Sequence, residues 1–401
     1  MDILKLLLYA LLAVFPLGVV ARLPVFQSAY IYPIDGVVAF IFLVVLYRII
    51  TSKKNPFKIP LFKPLALFIG VAFISLVLNS FKLEVSELLV SFLYLVRFIA
   101  YSALLFVFHR LDEVAAKRFK LYLSLSGFTI VMLGFVQYFL YPNLRNLSYL
   151  GWDEHLYRMF STLLDPNFAG AFFVLEFFLL LALFQEEKSR ISRISFLYIV
   201  ALLLTATALL LTYSRSSYGM FLVGGSAYFL FSRQKKLVFL LASMFFVGIL
   251  VLPKNFGGEG VKLLRTSSIF ARADAQRKAI TIFANSPLFG VGFNAYRYAQ
   301  KRYGFLEQGS WETTHAGAGV PNSFLFVLAT TGIVGLLLYS YFWLNVFRKL
   351  YMKRRSLFRT AVIASILGVF VHSLFENSLF YPFLMIWLFV VIGVSMVDKK
   401  P

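Results

Sequence analysis

Long apolar runs separated by short basic clusters fill most of the chain. A helix needs about 20 apolar residues to cross the hydrocarbon of a bilayer. That length predicts spans near 3–20, 33–50, 61–79, 86–108, 119–141, 168–184, 194–212, 217–231, 237–252, 322–347, 358–377 and 379–397. The pattern therefore predicts an all-α, polytopic integral membrane protein with about twelve transmembrane helices, the eighth and ninth being the shortest. A closed barrel is the other way to satisfy a backbone in lipid, and these runs are far too long for barrel strands. The apolar start is read as the first span rather than a signal peptide, because further spans follow and no small-residue cleavage site is evident.

Charge orients the spans. Basic residues collect in every second short link: Arg48, Lys53 and Lys54; Arg110, Lys117 and Arg118; Lys188, Arg190 and Arg193; Arg233, Lys235 and Lys236; Arg348, Lys349, Lys353, Arg354 and Arg355. The links between them hold few cations, such as Arg22 and Lys82. The positive-inside rule then puts both termini in the cytoplasm. It also turns one large loop, 253–321, between the ninth and tenth spans, to the outer side. The expected organisation is a single transmembrane domain, 1–401, carrying this structured loop.

Composition agrees with the pattern. The 401 residues are 60% hydrophobic and 14% charged, with a mean hydropathy of +0.81. Soluble domains are nearer half apolar and a quarter charged, so the chain falls in the membrane class. The net charge of +21 resides mostly in short links, which favours contact with membrane lipids over nucleic acid. Absence of cysteine excludes disulfides and thiolate chemistry. The four histidines (His109, His155, His315 and His372) are scattered too widely to suggest a metal site.

The large loop concentrates the chemistry. It holds Lys254, Lys262, Arg265, Arg272, Arg277, Lys278, Arg297, Lys301 and Arg302 against four acids, which points to an anionic ligand. Within it, 269–286 has the spacing of an amphipathic helix, with Ile269, Ala273, Ile280 and Phe283 as its apolar stripe and Arg272, Arg277 and Lys278 off it. Pro287 stops that helix, and Gly290 and Gly292 mark a tight turn.

Four further features carry candidate chemistry. Arg215 follows the seventh span; its planar fork suits a diphosphate, although an interfacial arginine can simply snorkel to headgroups. Arg97 lies within a span, where a central arginine costs roughly 2.5–3.5 kcal/mol, so it should face a cavity or a partner. Glu176 is the acid in a comparable position, and an Arg97–Glu176 ion pair is the structural alternative. His372 and Glu376 are four apart on one helical face; such a pair can act as a general base or merely cap a helix end. His315 sits in a glycine-containing part of the loop.

These residues resemble the O-antigen ligase and O-antigen polymerase superfamily of membrane glycosyltransferases. The likeness rests on four stretches. Arg158 with Asp165, Pro166 and Asn167 looks like the family's segment before the sixth span. Thr212, Tyr213, Ser214 and Arg215 look like its T-x-S-R turn. Arg272, followed by Pro287 and the Gly290–Gly292 turn, looks like its loop arginine. Asn322, then Gly332 and Gly335, look like its loop exit. Where the ligase pattern has a histidine before the asparagine, this chain has Pro321.

The resemblance implies a GT-C-like enzyme of the cell envelope, at the outer face of the inner membrane and in lipopolysaccharide biosynthesis. It would move a glycan from undecaprenyl diphosphate to a hydroxyl of lipid A-core or another glycan, without metal or other cofactor. On that basis Arg215 and Arg272 are expected at the diphosphate; no base carries over from the motif, and His315 or the His372–Glu376 pair is the candidate substitute for the missing histidine. Arg97, Arg158, Asn167, Arg265 and Asn322 are candidate substrate contacts. A polymerase of the same superfamily is the close alternative. Transport of an anion or a lipid-linked sugar is a more distant one, because no paired half-repeats are evident.

Overall fold

The computed structural model describes residues 3–26, 29–51, 59–108, 112–187, 193–232, 261–262, 266–306, 319–352 and 356–397, with Phe57 and a few positions between 239 and 250. Its helices are α1 (Ile3–Val14), α2 (Pro33–Thr51), α3 (Phe62–Leu78), α4 (Val85–Ser102), α5 (Leu104–Val107), α6 (Glu113–Leu140), α7 (Pro166–Glu186), α8 (Arg193–Leu211) and α9 (Arg215–Phe231). They continue with α10 (Ser267–Ala284), α11 (Tyr296–Arg302), α12 (Ser323–Met352), α13 (Leu357–His372) and α14 (Pro382–Ser395). The chain is an all-α membrane protein. Among the described residues, seven helical stretches are long and apolar enough to cross a bilayer, and α3, α13 and α14 are shorter apolar helices. The ninth expected span, 237–252, lies largely outside the described residues. One feature that the apolar pattern did not suggest is a small antiparallel hairpin, Leu23–Phe26 with Ala29–Ile31, in the first link.

Local sequence sets the helix starts. Asp165 caps α7, its carboxylate accepting from the amides of Asn167 and Phe168, and Pro166 occupies the first turn, where its missing N–H is harmless. Asp112 caps α6 in the same way, and Glu84 with Glu87 forms a capping box at α4. α7 and α14 are buried along most of their length, so they form the centre of the bundle. α13 packs on α9 and α7, and α12 packs on α3. Gly368 allows the α9–α13 approach, since a Cβ there would lie 2.8 Å from the Met220 carbonyl oxygen.

The end of the large loop folds into the bundle instead of standing clear of it. At Gly332 the backbone of α12 leaves the helical region (φ 68°, ψ −170°), which frees carbonyls and amides inside an apolar helix. The 287–292 turn satisfies them. Val291 and Gly292 donate to the Ala329 and Thr330 carbonyls at 3.0 and 3.1 Å, and Ile333 donates to Pro287 at 2.9 Å. From α3, the Ser75 hydroxyl bridges the Phe289 and Thr330 carbonyls, and the Asn79 amide donates to Gly290 at 3.0 Å. Irregular backbone within a bundle persists only where protein supplies such partners.

α10 corrects one sequence expectation. Its packed positions are Ala279 and Ile282, in a small core with Val291, Tyr296, Ala299, Val320, Phe326 and Ala329. Ile269 and Ile280, assigned above to the apolar stripe, are exposed. The helix is turned so that Ser268 and Arg272 face the bundle, because contacts from other elements outweigh a weak local periodicity.

Gly332→Ala should lower stability by roughly 3 kcal/mol, because a side chain there meets both a left-handed backbone and the Leu288 carbonyl oxygen at 2.1 Å. Gly70→Ala, with nothing within 4 Å of its added Cβ, should be neutral or slightly stabilising. Thermal melting of the detergent-purified variants checks both.

Candidate functional site

Several helices terminate together at one end of the bundle: α7, α9 and α12 begin there and α13 ends there. The link between α8 and α9 is held from both sides. Met159 donates its backbone N–H to Leu211 at 2.9 Å, and buried Arg158 donates through Nε to the Thr212 carbonyl at 2.9 Å and through Nη2 to Asn167 Oδ1 at 3.4 Å. Tyr213 in this link, and Ser161 and Leu164 before α7, are non-glycine residues at positive φ. Such outliers concentrate where the fold fixes a functional turn.

Beneath this link lies a lattice of buried hydroxyls around His372, the last residue of α13. Ser214, the cap of α9, donates to Asn167 Oδ1 at 2.9 Å. Ser217 donates toward the Asn167 carbonyl at 3.0 Å. His372 Nε2 lies 3.2 Å from Ser216 Oγ and 3.3 Å from Ser217 Oγ, and Nδ1 lies 2.5 Å from Ser378 Oγ. Both ring nitrogens of His372 are therefore engaged.

Arg215, the first residue of α9, reaches across to α10, where its Nη2 contacts Ser268 Oγ at 2.7 Å. Ser268 and Arg272 are four apart and share a helical face. Arg272 in turn forms an ion pair with Glu376, in the turn beyond α13. The two guanidinium groups are thus neighbours, and burial together with the Arg272 charge lowers the pKa of Arg215. Burial raises the Glu376 carboxyl to about 7 against the opposing pull of Arg272, with Asp165 adding to the rise. The side chains of Arg272 and Glu376 remain 21% and 13% exposed, so the pair can be reached from outside. Two adjacent cations with one partly open carboxylate form an arrangement suited to a divalent anion.

The remaining sequence candidates separate into three groups. His372 and Glu376 share the end of α13 but bond to different partners, the serines and Arg272 respectively. Asn322 caps α12, accepting from the Phe324 and Leu325 amides at 3.0 Å and donating to the Leu374 carbonyl at 3.2 Å; it ties α12 to the Glu376 turn. Arg265 and His315 lie outside the described residues.

Arg97 corrects the expected pairing with Glu176. Its Nη2 lies 2.9 Å from Asp35 Oδ2, its guanidinium donates to the Tyr30 carbonyl, and the rings of Tyr32 and Tyr94 lie 5.6 and 5.1 Å from it. Tyr101 donates to the other Asp35 oxygen. The carboxylate is presented where α2 begins beside α4, whereas Glu176 is buried between α6 and α7 and accepts from Ser124 at 3.0 Å. Arg97 thus belongs to a separate, mutually satisfied cluster.

Sequence reasoning also missed Ser268, Ser216, Ser217 and Ser378. Only Ser268 carried a usable signal, its four-residue spacing from Arg272 once the correct face of α10 is known.

Residues 200–340 match the family described as O-antigen ligase. The matched region runs from α8 through the Arg215 turn and α10 to α12, so it contains Arg215, Arg272 and Asn322. The match covers about a third of the chain and agrees with the resemblance to the O-antigen ligase and polymerase superfamily drawn from the sequence motifs. No curated protein matches the chain.

The Arg97 cluster makes a direct prediction. Asp35→Ala strips the carboxylate from both Arg97 and Tyr101 and should cost roughly 3 kcal/mol, since it leaves a half-buried charge without its counterion. Glu176→Gln preserves an acceptor for Ser124 and should cost less than about 1 kcal/mol. Denaturation of both variants in detergent separates the two outcomes.

Proposed function

We propose that this protein is an inverting glycosyltransferase that moves a glycan from a polyprenyl diphosphate, such as undecaprenyl diphosphate, to an acceptor hydroxyl such as one on lipid A-core. In this reading the chain is one multi-pass domain of the inner membrane with both termini cytoplasmic, and the Arg215–Arg272 end faces the periplasm. The single observation that carries it is the adjacency of Arg215 and Arg272, joined through Ser268 and backed by Glu376.

The chemistry follows from that geometry. The acceptor oxygen attacks the anomeric carbon from the face opposite the diphosphate, which inverts the configuration. The carbon–oxygen bond to the diphosphate breaks and its electron pair leaves with the polyprenyl diphosphate. Arg215, already in place, and Arg272, turning from Glu376, oppose the charge that grows there, and one preorganised donor is worth roughly 3–4 kcal/mol. The acceptor proton passes to a base, which contributes about 10²–10⁴ in rate. Glu376 is placed to be that base, because the carboxylate is freed to take the proton as Arg272 turns toward the leaving diphosphate. Buried Arg158 and Asn167 then hold the Arg215 turn in place, and Asn322 holds the Glu376 turn. No metal ion takes part in this scheme, so transfer should survive excess EDTA.

The polymerase of the same superfamily remains the second reading, favoured by Pro321 where the ligase pattern has histidine. Reconstitution with a polyprenyl-diphosphate glycan and candidate acceptors separates them. Transfer of a finished chain in one step supports the ligase, ladders of repeats on the polyprenyl carrier support the polymerase, and absence of any glycosyl product overturns both.

Arg215→Ala and Arg272→Ala should each lower the transfer rate by about 100-fold or more while the protein stays folded, and lysine should restore little because it lacks the planar fork. Full turnover in both alanine variants would remove this assignment.

The pH profile tests the base. The Glu376 carboxyl, raised to about 7, must be ionised to accept a proton, so the rate should climb as pH rises through that value. Glu376→Gln should abolish the rising limb. A limb that persists in Glu376→Gln and disappears in His315→Ala would assign the base to His315 instead.

A further inference from the structure

The role of His372 is not that of a base. Both of its ring nitrogens face serine hydroxyls, and each hydroxyl has one proton to give. Ser214 spends its proton on Asn167 Oδ1 at 2.9 Å. Ser217 spends its proton on the Asn167 carbonyl at 3.0 Å or on Ser214 Oγ at 2.9 Å. Toward His372 Nε2, Ser217 can therefore only accept, whereas Ser216, 3.2 Å away, can accept from it or donate to it. Nδ1 lies 2.5 Å from the Ser378 hydroxyl, which serves as its partner in either tautomer. Both nitrogens are thus committed to serines whichever one carries the hydrogen. His372, Ser214, Ser217 and Ser378 are all fully buried, out of reach of a sugar hydroxyl.

The same contacts show what the ring does. His372 ends α13, and its Nε2 grips Ser216 and Ser217, the two residues that follow Arg215. One turn further on, Glu376 holds Arg272. A single helix end therefore touches the supports of both guanidinium groups. We propose that His372 is a positioning residue: through Ser216 and Ser217 it fixes the start of α9 against the end of α13, and so sets the separation of Arg215 from Arg272. This rests on the reading of those two arginines as the diphosphate site.

The test compares His372→Gln, whose amide can still donate near the Nε2 position, with His372→Leu, which fills the space without a hydrogen bond. The primary readout is binding of undecaprenyl diphosphate to the purified full-length protein in nanodiscs, with thermal melting to confirm that each variant is folded. His372→Leu should weaken binding about 10-fold and transfer about 100-fold, whereas His372→Gln should stay within about 3-fold in binding. Ser378→Ala, a milder change on the other side of the ring, provides a second variant should His372→Leu fail to fold, with an expected loss of about 3-fold in binding. In an Arg215→Lys background, His372→Leu should cost far less than in the wild type, because the two changes disturb one interaction.

Equal loss of transfer in the Gln and Leu variants, multiplying with Arg215→Lys, would show that the ring acts as a base and overturn the inference. Wild-type binding in folded His372→Leu, or in folded Ser378→Ala where His372→Leu does not fold, would overturn it as well. Wild-type protein that does not bind the lipid diphosphate would overturn the reading of the site itself, and this inference with it.

Discussion

The end of α13 is closed by its own chain, with Ser373, Leu374 and Phe375 donating back to Val369, Val371 and His372. This leaves the carbonyls of Ser373 and Leu374, beyond the helix, to be met by other elements. Neighbouring elements supply the donors. Ser323, at the start of α12, donates its N–H to Ser373 at 2.8 Å, and Asn322 and Gln276 both donate to the Leu374 carbonyl at 3.2 Å. These bonds fasten α12 and α10 to one short turn. That turn also carries Glu376 and hence Arg272. The need to satisfy one helix end is thus what brings the large loop against the bundle, and the candidate site is assembled on the result.

A second constraint acts from the far side of α10. The helix is followed by the 287–292 turn, whose position is set by the break in α12 at Gly332 and by Ser75 and Asn79 of α3. α10 is therefore held at both ends, by the bonds around the α13 turn and by the docked turn behind it. A side chain on a helix fixed in this way keeps its rotational setting, which is why Arg272 can face Arg215 without an anchor of its own in the membrane.

The apolar runs made the all-α membrane architecture legible, because length against the bilayer is a strong signal that needs no tertiary information. The starts of α7 and α9 fall two residues before the expected spans, at Pro166 and Arg215, because Asp165 and Ser214 cap them. The partners were harder to read. Arg97 was matched with Glu176 because both lay within spans, yet Asp35 meets it, since the first link descends beside α4. The face of α10 was misread because Ile269 and Ile280 lie on exposed positions, while alanine, serine and arginine face the bundle. The serine lattice had no sequence signature at all, as isolated serines near helix ends are common and only the fold brings these together.

That lattice alters how the missing family histidine should be weighed. With Pro321 in the expected place, His372 looks at first like a displaced substitute, because it lies near the same helix ends. Its hydrogen bonds argue otherwise, since a base must keep a lone pair directed at the substrate and this ring has spent both nitrogens on serines. Glu376, by contrast, has a carboxylate that is partly open and raised in pKa by burial. In the proposed transfer, movement of Arg272 toward the diphosphate frees this base as the donor arrives. Charge neutralisation at Arg272 and proton acceptance at Glu376 then become two consequences of a single movement.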